Sequence, residues 1–173
     1  MKKVFLVSLV MVLALSMFSA SGVTRASADE SKLLEFNSMV GVPRPYTGAA
    51  NAIRGVPGGG LPWVVEFGKG KISPEGNVDV MVRGLLIDPN DPAAIAAGRG
   101  GTNPSPTFKV VVSCLSKDGS GAPTTVNVST ALFPADAQGN AHIKDSVALP
   151  SPCIAPIVFV TSAGGAWFAS TGY

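Results

Sequence analysis

Glycine and proline constrain this chain more than any other feature. All 14 prolines and 19 of the 20 glycines lie beyond residue 28, where they cut the sequence into short segments. Proline cannot donate into a helix or a central β-ladder, and glycine loses more backbone freedom on ordering than any other residue. Long amphipathic helices are therefore disfavoured, and short strands joined by turns remain. The combined glycine and proline share sits just below the range where low-complexity disorder becomes the default. Strong apolar runs persist between the breaks, so a packed domain is expected.

Those runs carry a period of two. Leu61, Trp63, Val65 and Phe67 alternate with Pro62, Val64, Glu66 and Gly68, and Val78, Val80 and Val82 alternate with Asp79, Met81 and Arg83. With the turn Ser73-Pro74-Glu75-Gly76 between them, these runs predict a hairpin. Further strands are predicted over residues 33–42, around Phe108 to Cys114, and over 124–133, 141–149, 154–161 and 166–170. The apolar run 154–161 reads as a central strand buried on both faces. Residues 88–106 read as a long loop kept out of the core, with one helical turn over 92–97 capped by Asp91 and opened by Pro92. About eight strands result. The fold class predicted is all-β, an antiparallel β-sandwich or partly open barrel, with no internal repeat.

The first 28 residues have a different character. Met1-Lys2-Lys3 precedes the apolar run from Val4 to Phe18, and Ala26-Ser27-Ala28 supplies small residues before Asp29. This is the pattern of a cleavable secretory signal. The competing reading is an uncleaved anchor, because Val4 to Val23 is long enough to span a bilayer. The chain thus divides into a signal, 1–28, and a single β domain, 29–173, expected to be secreted or extracytoplasmic with no stable membrane span. The formal charge of +2 includes Lys2, Lys3 and Arg25, so the expected mature domain is close to neutral. That removes the electrostatic case for a nucleic-acid partner.

Cys114 and Cys153 are the only two cysteines. An even count in an exported chain predicts a disulfide between them. Two cysteines and the single His142 are too few for a structural zinc site without carboxylate help. No cofactor is expected.

Candidate chemistry is sparse. His142 lies on the outward parity of its strand, and no G-x-S-x-G or H-E-x-x-H pattern surrounds it, so a surface imidazole is expected. Glu35, Glu66, Glu75, Asp79 and Asp145 lie on strands or turns. Glu66 and Asp79 flank the hairpin and are expected to face each other among Lys69, Lys71 and Arg83. Solvated charges explain that pair better than a glycosidase dyad. Asp88-Pro89-Asn90-Asp91 has oxygens suited to calcium but lacks the calcium-loop spacing, and turn and cap chemistry explains it. Gly98-Arg99-Gly100-Gly101-Thr102-Asn103 lacks the Lys-Ser/Thr pair of a phosphate loop and reads as flexible. Trp63, Trp167, Tyr46 and Tyr173 are the residues available for a sugar-stacking platform. Trp63 shares the parity of the core, one of Trp167 and Phe168 must face outward, and core is the default expectation for both tryptophans. Asn127-Val128-Ser129 matches a glycosylation sequon.

The reading favoured is a secreted, non-enzymatic β-domain with a binding, surface or structural role and an unknown extracellular ligand. A carbohydrate-binding module with exposed aromatics, or a small secreted hydrolase, are the alternatives.

Overall fold

The computed structural model describes residues 31–171. The expected signal, its cleavage site and Tyr173 lie outside them. The described chain is mostly β, and its antiparallel sheets do not close into a barrel. The strands are β1 (Leu34–Phe36), β2 (Val40–Gly41), β3 (Trp63–Val64), β4 (Phe67–Ile72), β5 (Asn77–Arg83), β6 (Leu86–Ile87), β7 (Thr107–Lys117), β8 (Pro123–Ser129), β9 (Phe133–Pro134), β10 (Ala141–Ser146), β11 (Ile154–Thr161) and β12 (Trp167–Ser170). One short helix, α1 (Pro92–Ala96), lies between β6 and β7.

A four-stranded sheet has the order β1-β4-β5-β10, and a six-stranded sheet has the order β2-β12-β11-β7-β8 with β9 also on β7. β3 and β6 form a separate pair. Val78, Val80, Val82 and Ile143 of the first sheet and Phe108, Val110, Val112, Val158 and Val160 of the second belong to one buried cluster.

Among the described residues twelve strands replace the roughly eight expected, because three segments break in two and β6 is added. Residues 33–42 are one such segment. Leu34 and Phe36 pair with Ile72 and Gly70 in the four-stranded sheet, whereas Val40 and Gly41 pair with Ser170 and Ala169 in the other. The segment crosses between sheets at Asn37-Ser38, so its alternation does not belong to a single strand. Residues 124–133 break at Thr130, whose N–H donates to the Val110 carbonyl and whose hydroxyl accepts from the Val110 N–H.

The predicted hairpin is present as β4–β5, paired from Phe67↔Arg83 to Ile72↔Val78 about the turn at residues 73–76. Its inward face differs from the prediction. Trp63 leaves the hairpin to pair with Ile87, and Phe67 is exposed. The inward positions of β4 are Gly68, Gly70 and Ile72. A Cβ on Gly68 would lie 2.7 Å from the Met39 side chain, and one on Gly70 would lie 2.8 Å from the Phe36 ring. These glycines provide the space in which Met39 and Phe36 cover the sheet.

The Cys114–Cys153 disulfide joins β7 to the residue before β11, with Cα atoms 4.9 Å apart. β11 is central in its sheet as expected, but only its second half is fully buried, and Ile154 and Ala155 are exposed. Trp63 and Trp167 are both buried, as expected of the tryptophans, and Phe168 is buried too, which corrects the expectation that one of Trp167 and Phe168 is exposed. The pairs Val160↔Ala169 and Thr161↔Trp167 leave Phe168 as an extra residue. Such a bulge breaks strict alternation. Phe168 stacks on Trp63 with ring centroids 3.8 Å apart, while Trp167 packs against Phe159.

The 88–106 loop is anchored to the core. Asp91 caps α1 through the N–H groups of Ala93 and Ala94, as predicted, and Ala94 is fully buried in the core cluster. Gly101 N–H and Thr102 C=O bond the two backbone groups of Ile87, so the glycine-rich run is a hydrogen-bonded flank of β6.

Candidate functional site

The two sheets present different outer faces. On the four-stranded sheet, strand parity sends Glu35 of β1, Phe67, Lys69 and Lys71 of β4, Asp79, Met81 and Arg83 of β5, and His142 and Lys144 of β10 away from the core. The register aligns Glu35, Lys71, Asp79 and Lys144 in one row, Lys69, Met81 and His142 in the next, and Phe67 with Arg83 in a third. Strand spacing and residue rise make this cationic field about 10 Å by about 14 Å. Lys69, Lys71, Arg83, His142 and Lys144 are exposed around the half-buried Met81 and Asp79. The surface is shallow; a depression of about 400 Å³ beside it is lined by Phe36, Asn37, Lys69, Met81 and His142, among others.

Both acids on this face already have partners. Asp79 Oδ1 lies 2.7 Å from His142 Nε2, and Glu35 accepts from Lys32 Nζ at 2.8 Å. Lys32 beside Glu35 holds its carboxyl below the usual range. The Lys69 and Arg83 cations lie 5.8 Å and 5.7 Å from the Phe67 ring centre, a weak cation–π clamp at an exposed site. Among the described residues, Lys69, Arg83 and Lys144 make no ion pair with an acid.

Most of the other acids are engaged in backbone geometry. Asp118 accepts from the Ser120 hydroxyl and from the N–H groups of Ser120 and Ala122, and Asp136 accepts from Asn140. Asp145 accepts from the Ala131 N–H. Asp91 takes a bidentate bond from Arg44, at 2.9 Å and 3.2 Å, as well as the helix cap. These bonds favour the ionised form and lower all four carboxyl pKa values. Nearly neutral composition therefore hides local segregation: most acids tie turns together, while four of the ten lysines and arginines among the described residues share one sheet face.

The outer face of the six-stranded sheet is roofed. Residues 43–60 cross it as a strap. Trp167 N–H donates to Pro57 C=O, and Gly59 N–H donates to Trp167 C=O. Arg54 reaches over the disulfide-linked strands, and its Nη1 donates to the carbonyls of Ser113 at 3.1 Å and Ala155 at 2.8 Å. Asn127 Nδ2 donates to Arg54 C=O, so the sequon amide is part of the strap's anchorage.

The structure separates the residues singled out by sequence. Glu66 does not face Asp79: its N–H bonds Arg83 C=O outside the hairpin, while Asp79 lies opposite Lys71 and Lys144. Glu75 stays in the turn, and Asp88 accepts from the Asn90 N–H in an Asx turn. Trp63 and Trp167 are buried, and Tyr46 is exposed on the strap. Among the described residues, no group of three or more His, Cys, Asp or Glu is placed to hold a metal ion. No helix among them is long and apolar enough to cross a membrane. In the sequence Lys69, Lys71 and Arg83 stand out only as neighbours of an acid pair; the alternate spacing of Lys69 and Lys71 is the available signal for a common face, and Lys144 joins only through the β5–β10 register. Compared with known proteins, the chain matches no family model, no curated protein and no solved structure.

Proposed function

We propose that this chain is an exported, non-enzymatic β-sandwich domain that docks onto an anionic extracellular component through the outer face of its four-stranded sheet. The observation that carries the reading is the exposed cation field of Lys69, Lys71, Arg83 and Lys144, on a face whose two acids already have basic partners. A flat sheet holds such charges at fixed spacing without a cleft, which suits an extended ligand better than an enclosed substrate. The burial of Trp63 and Trp167 weighs against the sugar-stacking alternative.

The proposal predicts retention on an immobilised sulfated polysaccharide and passage through an uncharged one. Screening by salt should weaken retention steeply. The triple variant K69E/R83E/K144E, altered only at exposed positions, should lose it. Equal behaviour on both columns, or retention by the triple variant, would refute the proposal.

A further inference from the structure

The four edges of the two larger sheets are protected unequally. β1 and β2 are three and two residues long, and β2 is also covered, since a Cβ on Gly41 would lie 2.0 Å from the Trp63 carbonyl oxygen. β10 carries His142, Lys144 and Asp145, and its Asp145 carboxylate is bonded to the Ala131 N–H. Short strands, charges and covering segments are the ordinary means of preventing edge-to-edge pairing. β8 is neither short nor charged, and the strap reaches it at Asn127, whose side-chain amide donates to Arg54 C=O. It runs for seven residues, Pro-Thr-Thr-Val-Asn-Val-Ser, with no charge and with proline only at its first position. It pairs with β7 without a break from Lys117↔Pro123 to Val111↔Ser129. Among the described residues, no strand pairs with its other side.

We propose that β8 pairs antiparallel with β8 of a second copy of this chain, joining the two six-stranded sheets across a two-fold axis. The segment is self-complementary when centred on Val126. Val126 then meets its own copy, Thr124 meets Val128, Thr125 meets Asn127, and Pro123 meets Ser129. No like charges oppose one another, and the β-branched pairs are of the kind that stabilises antiparallel ladders. Val126 and Val128 are both half-buried, Val128 packed against the core, so the joined sheet covers apolar surface that one copy leaves partly open. An isologous contact of this kind closes after two chains and does not propagate.

The register supplies a charge-swap test at Thr125 and Asn127, both exposed in the single chain. Sedimentation velocity should give twice the mass of one chain for the wild-type protein. T125K/N127K sets lysine against lysine across the axis and should sediment as a monomer. T125K/N127D sets lysine against aspartate and should recover the dimer, although it loses the same Asn127–Arg54 bond. Far-UV circular dichroism matching wild type in both variants confirms that each is folded. A monomeric wild-type protein at every soluble concentration would overturn the proposal, as would a T125K/N127K protein that stays dimeric, or a wild-type chain that captures extended peptides but not itself.

Discussion

The two sheets share one core but treat their outer faces in opposite ways. The six-stranded sheet is roofed by residues 43–60, with Trp167 and Phe159 packed on each other and Arg54 bonded over the disulfide-linked strands. The four-stranded sheet leaves its outer face to solvent and to cations. The contrast separates stability from interaction. Substitutions on the roofed side should cost folding free energy, and substitutions on the bare side should alter binding while leaving folding nearly untouched.

The largest expected effect is on the roofed side. Replacing both Cys114 and Cys153 by alanine opens a loop with a sequence separation of 39 residues and should cost about 4 kcal/mol in the chain-entropy model, read as a lower denaturant midpoint. Trp167→Ala should cost about 3–5 kcal/mol, as for other fully buried large aromatics, and thermal melting would show it. Phe67→Ala on the bare face provides the sharpest contrast. It is 37 % exposed, and its loss should shift stability by no more than about 1 kcal/mol. A Phe67→Ala protein as destabilised as Trp167→Ala would break the comparison.

Arg54→Ala comes next. It removes two hydrogen bonds that hold the strap and should cost about 1.5–3 kcal/mol, the usual range for bonds to a charged group. Native-state hydrogen exchange should quicken at residues 53–59 before the β4–β5 hairpin responds. Uniform acceleration across both sheets would show that the strap is not a separate element.

Acid should act through the turn carboxylates. Asp91, Asp118, Asp136 and Asp145 all have lowered pKa values in the folded chain. A carboxyl with a lowered folded pKa adds stability that is fully present above its unfolded value and is lost as pH falls towards the folded one. The melting temperature should therefore hold from neutral pH down to about 5 and fall below about 4, where free aspartate titrates. Asp91→Asn should flatten part of that fall, because Asp91 serves both Arg44 and the α1 cap. An unchanged acid profile would remove Asp91 from this account. The smallest effect belongs to Lys144→Ala, expected to change stability by less than about 0.5 kcal/mol while weakening retention on the sulfated matrix.

Much of the fold was legible locally. The 73–76 turn between alternating runs became the β4–β5 hairpin, and Asp91-Pro92 became the cap and first position of α1. The cysteine pair, expected from the number of cysteines and the compartment, became a bond. The candidate site was less legible. Lys69 and Lys71 share a face by parity within one strand, but Lys144 lies 73 positions beyond Lys71 and joins them only through pairing. Gly68 reads as the less apolar side of its run and lies inward, because Met39 arrives from a distant segment to fill the space above it.

The sequence by itself determined the kind of structure: short antiparallel strands, their turns, one capped helical turn and a covalent staple. The strands, turns and helical turn follow from backbone preferences acting over a few neighbouring residues, and the staple from the count of two cysteines. Only the tertiary structure decided that residues 33–42 serve two sheets, that Phe168 turns into the core at a bulge while the strap covers Trp167, and which sheet face stays bare. Those outcomes depend on pairing between segments tens of residues apart. Alternation records which residues share a face, but not what will cover it.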